Sequence, residues 1–190
     1  MITKYEDPWL YYTVDNYFPH DIFESMSESI QSFIKTGYKN LSESQNGILH
    51  TSREIMNVIG NNALSSFNRL AKEKAYSLYN IEKEDRNIYN EIKFMEAGGD
   101  YPKHDESLNK ILSVVIYLNP IGRSDSLGTK IYNSEKKYHS TVEWVPNRAM
   151  IFMRRSEVSW HSYDNLTSDI RVTCNHFLID KNISSSESTK

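Results

Sequence analysis

Gly98-Gly99-Asp100-Tyr101-Pro102-Lys103-His104-Asp105-Glu106 is the stretch on which the reading of this chain turns. It sets His104 and Glu106 two residues apart. Side chains at i and i+2 of a strand point to one face. His104 and Glu106 can therefore converge on one ion while Asp105 points away. If the segment is a turn instead, either carboxylate can swing in, and Asp105 stands as the alternative to Glu106. A second histidine, His161, arrives later in Ser159-Trp160-His161-Ser162-Tyr163, and Arg171 follows on the last strand. Two imidazoles and one carboxylate are the donor set that holds non-haem Fe(II) with positions left open. A guanidinium pairs bidentately with a carboxylate, which gives Arg171 the task of holding the far end of a dicarboxylic co-substrate.

The rest of the chain bounds this reading. Its 190 residues are enough for one domain with a proper core. Hydrophobic residues at 38% and charged residues at 25% describe a globular chain. Thirteen tyrosines suit a β-rich body. The net charge of -3 lacks the basic excess of a general nucleic-acid binder, so nucleic acid is not an expected partner. The single cysteine, Cys174, excludes an intramolecular disulfide and fits a reducing cytoplasm. No apolar run has signal-peptide or bilayer-spanning length, so no membrane partner and a cytoplasmic location are expected.

Along the chain, Thr13–Phe18 reads as a strand and a turn into a helix. Asp21 and Glu24 match a capping box, and Ile22, Phe23, Met26, Ile30, Phe33 and Ile34 recur at helical spacing up to Gly37. Residues 38–53 read as a loop or lid, and a second helix is predicted over about 61–80, entered at Gly60, Asn61 and Asn62. From residue 90 the pattern is strands: 91–97, 111–118, 129–132, 141–144, 148–153 and 170–178. Helices followed by short strands predict an α+β chain whose β part is a sandwich or barrel. Residues 1–180 are expected to form one domain and 181–190 a disordered tail.

Two strands have unlike faces. In 111–118, Leu112, Val114, Ile116 and Leu118 are aliphatic, while Ser113, Val115 and Tyr117 can line a cavity. In the last strand Arg171, Thr173 and Asn175 share a polar face that needs partners or water. Each residue also has a plainer reading. A loop histidine is usually exposed, Arg171 can bridge to Asp169 or Glu157, and Thr173 and Asn175 can face solvent. Joint occurrence in this order is what favours a site. His20, His50 and His139 read as structural or exposed, and His176 as packed.

On these residues the chain resembles the Fe(II)- and 2-oxoglutarate-dependent oxygenases, in particular their small prolyl-4-hydroxylase-like branch. The glycine-rich stretch ending in His104-Asp105-Glu106 is similar to that branch's Gly-Gly-x-Tyr-x-x-His-x-Asp, with Glu106 where the family has Asp. Tyr117-Leu118-Asn119, Gly128–Tyr132, Pro146–Phe152 and the opening Val14–Pro19 also look like family segments. The resemblance implies a double-stranded β-helix (jelly-roll) core with the N-terminal helices packed on the larger sheet. It implies Fe(II) on His104, Glu106 and His161, and 2-oxoglutarate held by Arg171 and Tyr117 with help from Thr173. O2 is the oxidant, with ascorbate as an optional addition. The implied activity is hydroxylation of a C–H bond in a prolyl-type protein side chain or a small molecule, releasing succinate and CO2. Gly122–Leu127 and residues 38–53 are candidate substrate lids. Two alternatives stand beside it: a non-catalytic β-helix binding module that has lost iron, which Glu106 favours, and oxidative demethylation of nucleic acid, which the acidic balance disfavours.

Overall fold

The computed structural model describes residues 1–43, 48–51, 55–81, 87–180 and 182–183. The chain combines helices with two sheets, and every strand pairing among the described residues is antiparallel. The elements run β1 (Ile2–Tyr5), β2 (Tyr11–Val14), α1 (His20–Thr36), β3 (Ser42–Glu43), β4 (Leu49–Thr51), α2 (Ile55–Leu70), β5 (Asn87–Met95), β6 (Asp100–His104), β7 (Lys110–Asn119), β8 (Ser124–Tyr132), β9 (Tyr138–Trp144), β10 (Ala149–Met153), β11 (His161–Asp164) and β12 (Arg171–Ile179). The larger sheet has eight strands in the order β1-β2-β10-β7-β12-β5-β4-β3, and the smaller has four in the order β6-β11-β8-β9.

The helices cover one face of the larger sheet. Met26 and Ile30 of α1 and Phe67 and Leu70 of α2 share a core with Ile92, Phe94, Leu112, Val114, Ile116, Leu118, Val172 and Cys174. Burying each such side chain contributes about 1.5–3 kcal/mol. A second apolar cluster lies between the sheets, with Tyr117, Leu127, Ile131, Trp144, Met150 and Phe152. Strands β7 and β12 serve both layers, because alternate residues face opposite ways.

Several local expectations change. The capping box is absent: Pro19 is the N-cap, in extended backbone, and no side chain caps the helix. Asp21 instead sits in the first turn, where its charge complements the helix dipole. The second helix begins at Ile55, and Gly60, with φ 78°, is a kink between two helical pieces rather than an entrance. Leu70 leads into a wider turn of π-helix type over Ala71–Tyr76. The described part of 38–53 is not an irregular loop. Strands β3 and β4 form a hairpin added to the sheet edge against β5, with Leu49 opposite Phe94; 44–47 and 52–53 lie outside the described residues. Of Gly122–Leu127, Ser124 onward belongs to β8 and Leu127 is fully buried, while Gly122, Arg123 and Ser126 are exposed. The expected tail lies outside the described residues except for 182 and 183. Among the described residues no helix is long and apolar enough to cross a membrane.

Candidate active site

A cavity of about 240 Å³ lies between the sheets and is lined by His104, Glu106, His161, Arg171, Thr173 and Asn175, among others. The turn after β5 delivers the first of these. Gly98 adopts φ 77°, where glycine carries no Cβ penalty, and donates its N–H to the Asn165 carbonyl at 2.8 Å. Asn165 returns the bond to the Gly99 carbonyl at 2.9 Å, tying this turn to the chain that follows β11. Strand β6 then pairs with β11 so that His104 stands directly opposite His161. His161 lies in a strand of its own, not merely before the last one.

The two imidazole rings are 4.2 Å apart between centroids. Each has its Nδ1 at 2.9 Å from a backbone carbonyl, that of Pro102 for His104 and that of Ser159 for His161. A carbonyl only accepts, so Nδ1 carries the proton and Nε2 is left as a bare lone pair in both rings. Burial holds both imidazoles neutral, that of His104 down to about 3.

Glu106 is buried at the same point, with Oε1 4.0 Å from His161 Nε2. Its own burial pushes the carboxyl up, but the Lys110 ammonium outweighs this and holds it down, in its ionised form. Lys110 donates to Oε2 at 2.7 Å and Ser113 to Oε1 at 2.8 Å. The Lys110 ammonium also lies 3.7 Å over the Phe177 ring. Asp105 is engaged elsewhere. It accepts from the Glu106 N–H at 2.9 Å, the Ser159 hydroxyl at 2.8 Å and the Glu157 N–H at 2.8 Å. That leaves Glu106 as the carboxylate beside the imidazoles.

Arg171 is 2% exposed, and no carboxylate pairs with it among the described residues, neither Asp169 nor Glu157. Nε donates to the Leu127 carbonyl at 3.0 Å, and Nη2 has no partner among the described residues. The guanidinium carbon stands 4.3 Å over Tyr163 and 5.1 Å over Trp144. A buried donor without a partner costs about 1–3 kcal/mol, and more when charged. An anionic ligand removes that cost. Tyr117 sits behind this point, stacked on Trp144 at 4.5 Å, and its hydroxyl donates to Thr129 at 2.8 Å. Thr129 and Thr173 are the hydroxyls on the cavity wall here.

The donors are right in kind for a ferrous centre, and the orphaned Nη2 is right for a carboxylate. Both Glu106 oxygens are already hydrogen-bonded, and among the described residues no three imidazole, carboxylate or thiol groups stand assembled as a metal cluster. Sequence reading had not singled out Lys93, Lys110, Tyr101 or Tyr163 as cavity groups. Lys93 and Lys110 occupy strand positions that look solvent-facing in sequence, which hides them. Tyr101 and Tyr163 stack 5.0 Å apart at 2°, a pairing that depends on the β6–β11 register.

No family model and no curated protein sequence matches the chain. Solved structures do. A Trichoplax adhaerens prolyl hydroxylase, in complex with a peptide fragment of the hypoxia inducible factor oxygen degradation domain, matches with TM-score 0.68 and 15% identity over 95% of this chain and 87% of that one. A Pseudomonas putida prolyl-4-hydroxylase matches with TM-score 0.67 and 14% identity, covering 90% and 92%. The viral collagen prolyl hydroxylase of Paramecium bursaria Chlorella virus-1, as its 2OG complex, matches with TM-score 0.65 and 13% identity, covering 88% and 94%. The fold is that of the prolyl hydroxylases.

Proposed function

We propose that the chain is an Fe(II)- and 2-oxoglutarate-dependent dioxygenase, built as a double-stranded β-helix domain over residues 1–180, that hydroxylates a C–H bond and releases succinate and CO2. The substrate class is a prolyl-type protein side chain or a small molecule. The observation that carries this reading is that His104 and His161, each with a bare Nε2, line one cavity with Glu106 and with Arg171, whose buried Nη2 has no partner among the described residues. His104, His161 and Glu106 would hold Fe(II). Arg171 would take the far carboxylate of 2-oxoglutarate, with Thr173 and Thr129 at hand and Tyr117 behind Thr129. Bound there, iron would supply activation of O2 coupled to oxidative decarboxylation of the 2-oxo acid.

The chain's own residues have the remaining tasks. The Pro102 and Ser159 carbonyls fix which imidazole nitrogen faces the centre. Ser113 and Lys110 restrain the extra rotamer freedom that Glu106 has over an aspartate. Phe152, Met150 and Val115 supply apolar wall that limits water at the reacting position. Replacement of His161 by alanine is expected to abolish succinate production from 2-oxoglutarate while circular dichroism and melting stay near wild type. Undiminished succinate in His161→Ala removes the proposed role.

One observation favours a second reading, a binding module without iron. Lys110 already neutralises Glu106 at 2.7 Å, which a metal would otherwise do. Metal analysis of protein purified without oxygen, followed by Fe(II) titration, separates the two.

A further inference from the structure

Resting on that reading, we propose that Lys93, Glu91 and Asn175 form a second subsite for an amino-acid-type substrate, whose carboxylate meets Lys93 and whose N–H meets Asn175. Strand register puts these groups on the cavity side of the larger sheet. Lys93 pairs with Thr173, and Glu91 pairs with Asn175, on adjacent strands β5 and β12. Directly paired residues of antiparallel strands share a face. Lys93, Thr173 and Asn175 all line the cavity.

The hydrogen-bond count leaves this group of side chains unfinished. Glu91, 6% exposed, is 3.2 Å from the Lys93 ammonium, 3.8 Å from His50 Nδ1 and 3.3 Å from the Asn175 amide nitrogen. An ammonium has three donors. Glu91 is the only carboxylate paired with Lys93 among the described residues; the Lys93 ammonium also lies 5.3 Å over the Tyr101 ring, with Tyr163 and Glu106 within electrostatic reach. Spare donors therefore face the cavity. Asn175 is 3% exposed, and its Oδ1 has no partner among the described residues. Its orientation is fixed by Glu91, because a flipped amide would set Oδ1 against a carboxylate. A spare cation and a spare neutral acceptor side by side match a carboxylate next to an N–H, as in an α-amino acid. A peptide-bonded proline offers neither group.

Arg171 approaches the Tyr163 ring and Lys93 the Tyr101 ring of the stacked pair. The co-substrate carboxylate on Arg171 leaves Lys93 for a different molecule.

The test uses the full chain, loaded with Mn(II) and saturated with 2-oxoglutarate, under calorimetric titration with matched probes: L-proline against N-acetyl-L-prolinamide, L-glutamate against L-glutamine methyl ester, and L-aspartate against L-asparagine amide. The carboxylate-bearing member of at least one pair is expected to bind at least tenfold more tightly. Lys93→Met should erase that preference, Lys93→Arg should retain it, and 2-oxoglutarate affinity should move less than about threefold in both. The double variant Glu91→Gln/Lys93→Met removes both charges and guards against an unpaired buried carboxylate unfolding the chain. It too should lack the preference. Equal binding within every pair, no binding by any probe, or a preference that survives Lys93→Met overturns the proposal. Loss of 2-oxoglutarate affinity in Lys93→Met overturns it as well, by assigning Lys93 to the co-substrate. Failure of the wild type to bind Mn(II) or 2-oxoglutarate instead counts against the dioxygenase reading, and the probe pairs then test the subsite on the unloaded chain.

Discussion

The two faces of the larger sheet are made by the same strands and obey opposite rules. Under the helices, β7 and β12 present Leu112, Val114, Ile116, Val172 and Cys174, a dry aliphatic layer. Toward the cavity the same strands present Ser113, Val115, Arg171, Thr173 and Asn175. The covered face can resolve a polar group internally, although the buried Tyr17 hydroxyl there has no partner among the described residues. His176 shows this: its Nδ1 meets Asn90 Oδ1 at 2.9 Å and its Nε2 meets the Tyr76 hydroxyl at 3.0 Å. His161 is equally buried, yet only its Nδ1 is used. The cavity face thus leaves Nη2 of Arg171 and Oδ1 of Asn175 unmatched among the described residues, and His161, with only Nδ1 hydrogen-bonded, lines the same cavity from the smaller sheet. Native interiors rarely tolerate unmatched polar atoms without a reason. The difference between the faces is the difference between stability and binding.

That contrast can be broken from either side. Ile116→Ala, on the covered face, should cost about 2–5 kcal/mol of stability, read from urea denaturation, with 2-oxoglutarate affinity of the folded fraction unchanged. Arg171→Met should do the reverse. Ligand affinity should fall about a hundredfold, or about 2.7 kcal/mol, while the melting temperature holds or rises, since an unpaired buried charge is removed. A large loss of stability in Arg171→Met would mean that the guanidinium is structural.

A smaller effect comes from acid. Burial depresses His176 to about 4, so the unfolded chain binds its proton first as pH falls. Stability is full above the ordinary histidine value near 6.5 and is lost as pH falls from there toward 4. At pH 5 the loss is on the order of 2 kcal/mol. Denaturation of wild type and His176→Gln at pH 7 and pH 5 checks this, with a smaller pH difference expected in the variant.

The faces also explain what could be read from sequence. Alternation in 111–118 and 170–178 gave both strands and their two characters, and aliphatic spacing gave the helix over His20–Thr36. His104, Glu106 and His161 were readable one by one from their motifs, whereas the placement of His104 opposite His161 comes from the β6–β11 pairing, which the sequence does not show. Glu91-Ile92-Lys93-Phe94 was readable only as a strand. Alternation looks the same whether its polar side meets water or a cavity, so Lys93 gave no signal. The β3–β4 hairpin was hidden for another reason: short polar edge strands acquire their structure from the neighbour they pair with. Gly60 was read as a boundary because its left-handed backbone is a break, and the helical turn before it is too short to show periodicity.

Anaerobic titration of the intact chain with Fe(II), with and without 2-oxoglutarate, tests the central claim most directly. The account predicts one tightly held ferrous ion per chain, one 2-oxoglutarate whose binding depends on that ion, and loss of both in His161→Ala. Absence of stoichiometric Fe(II), with Lys110 and Ser113 remaining the only partners of Glu106, would contradict it.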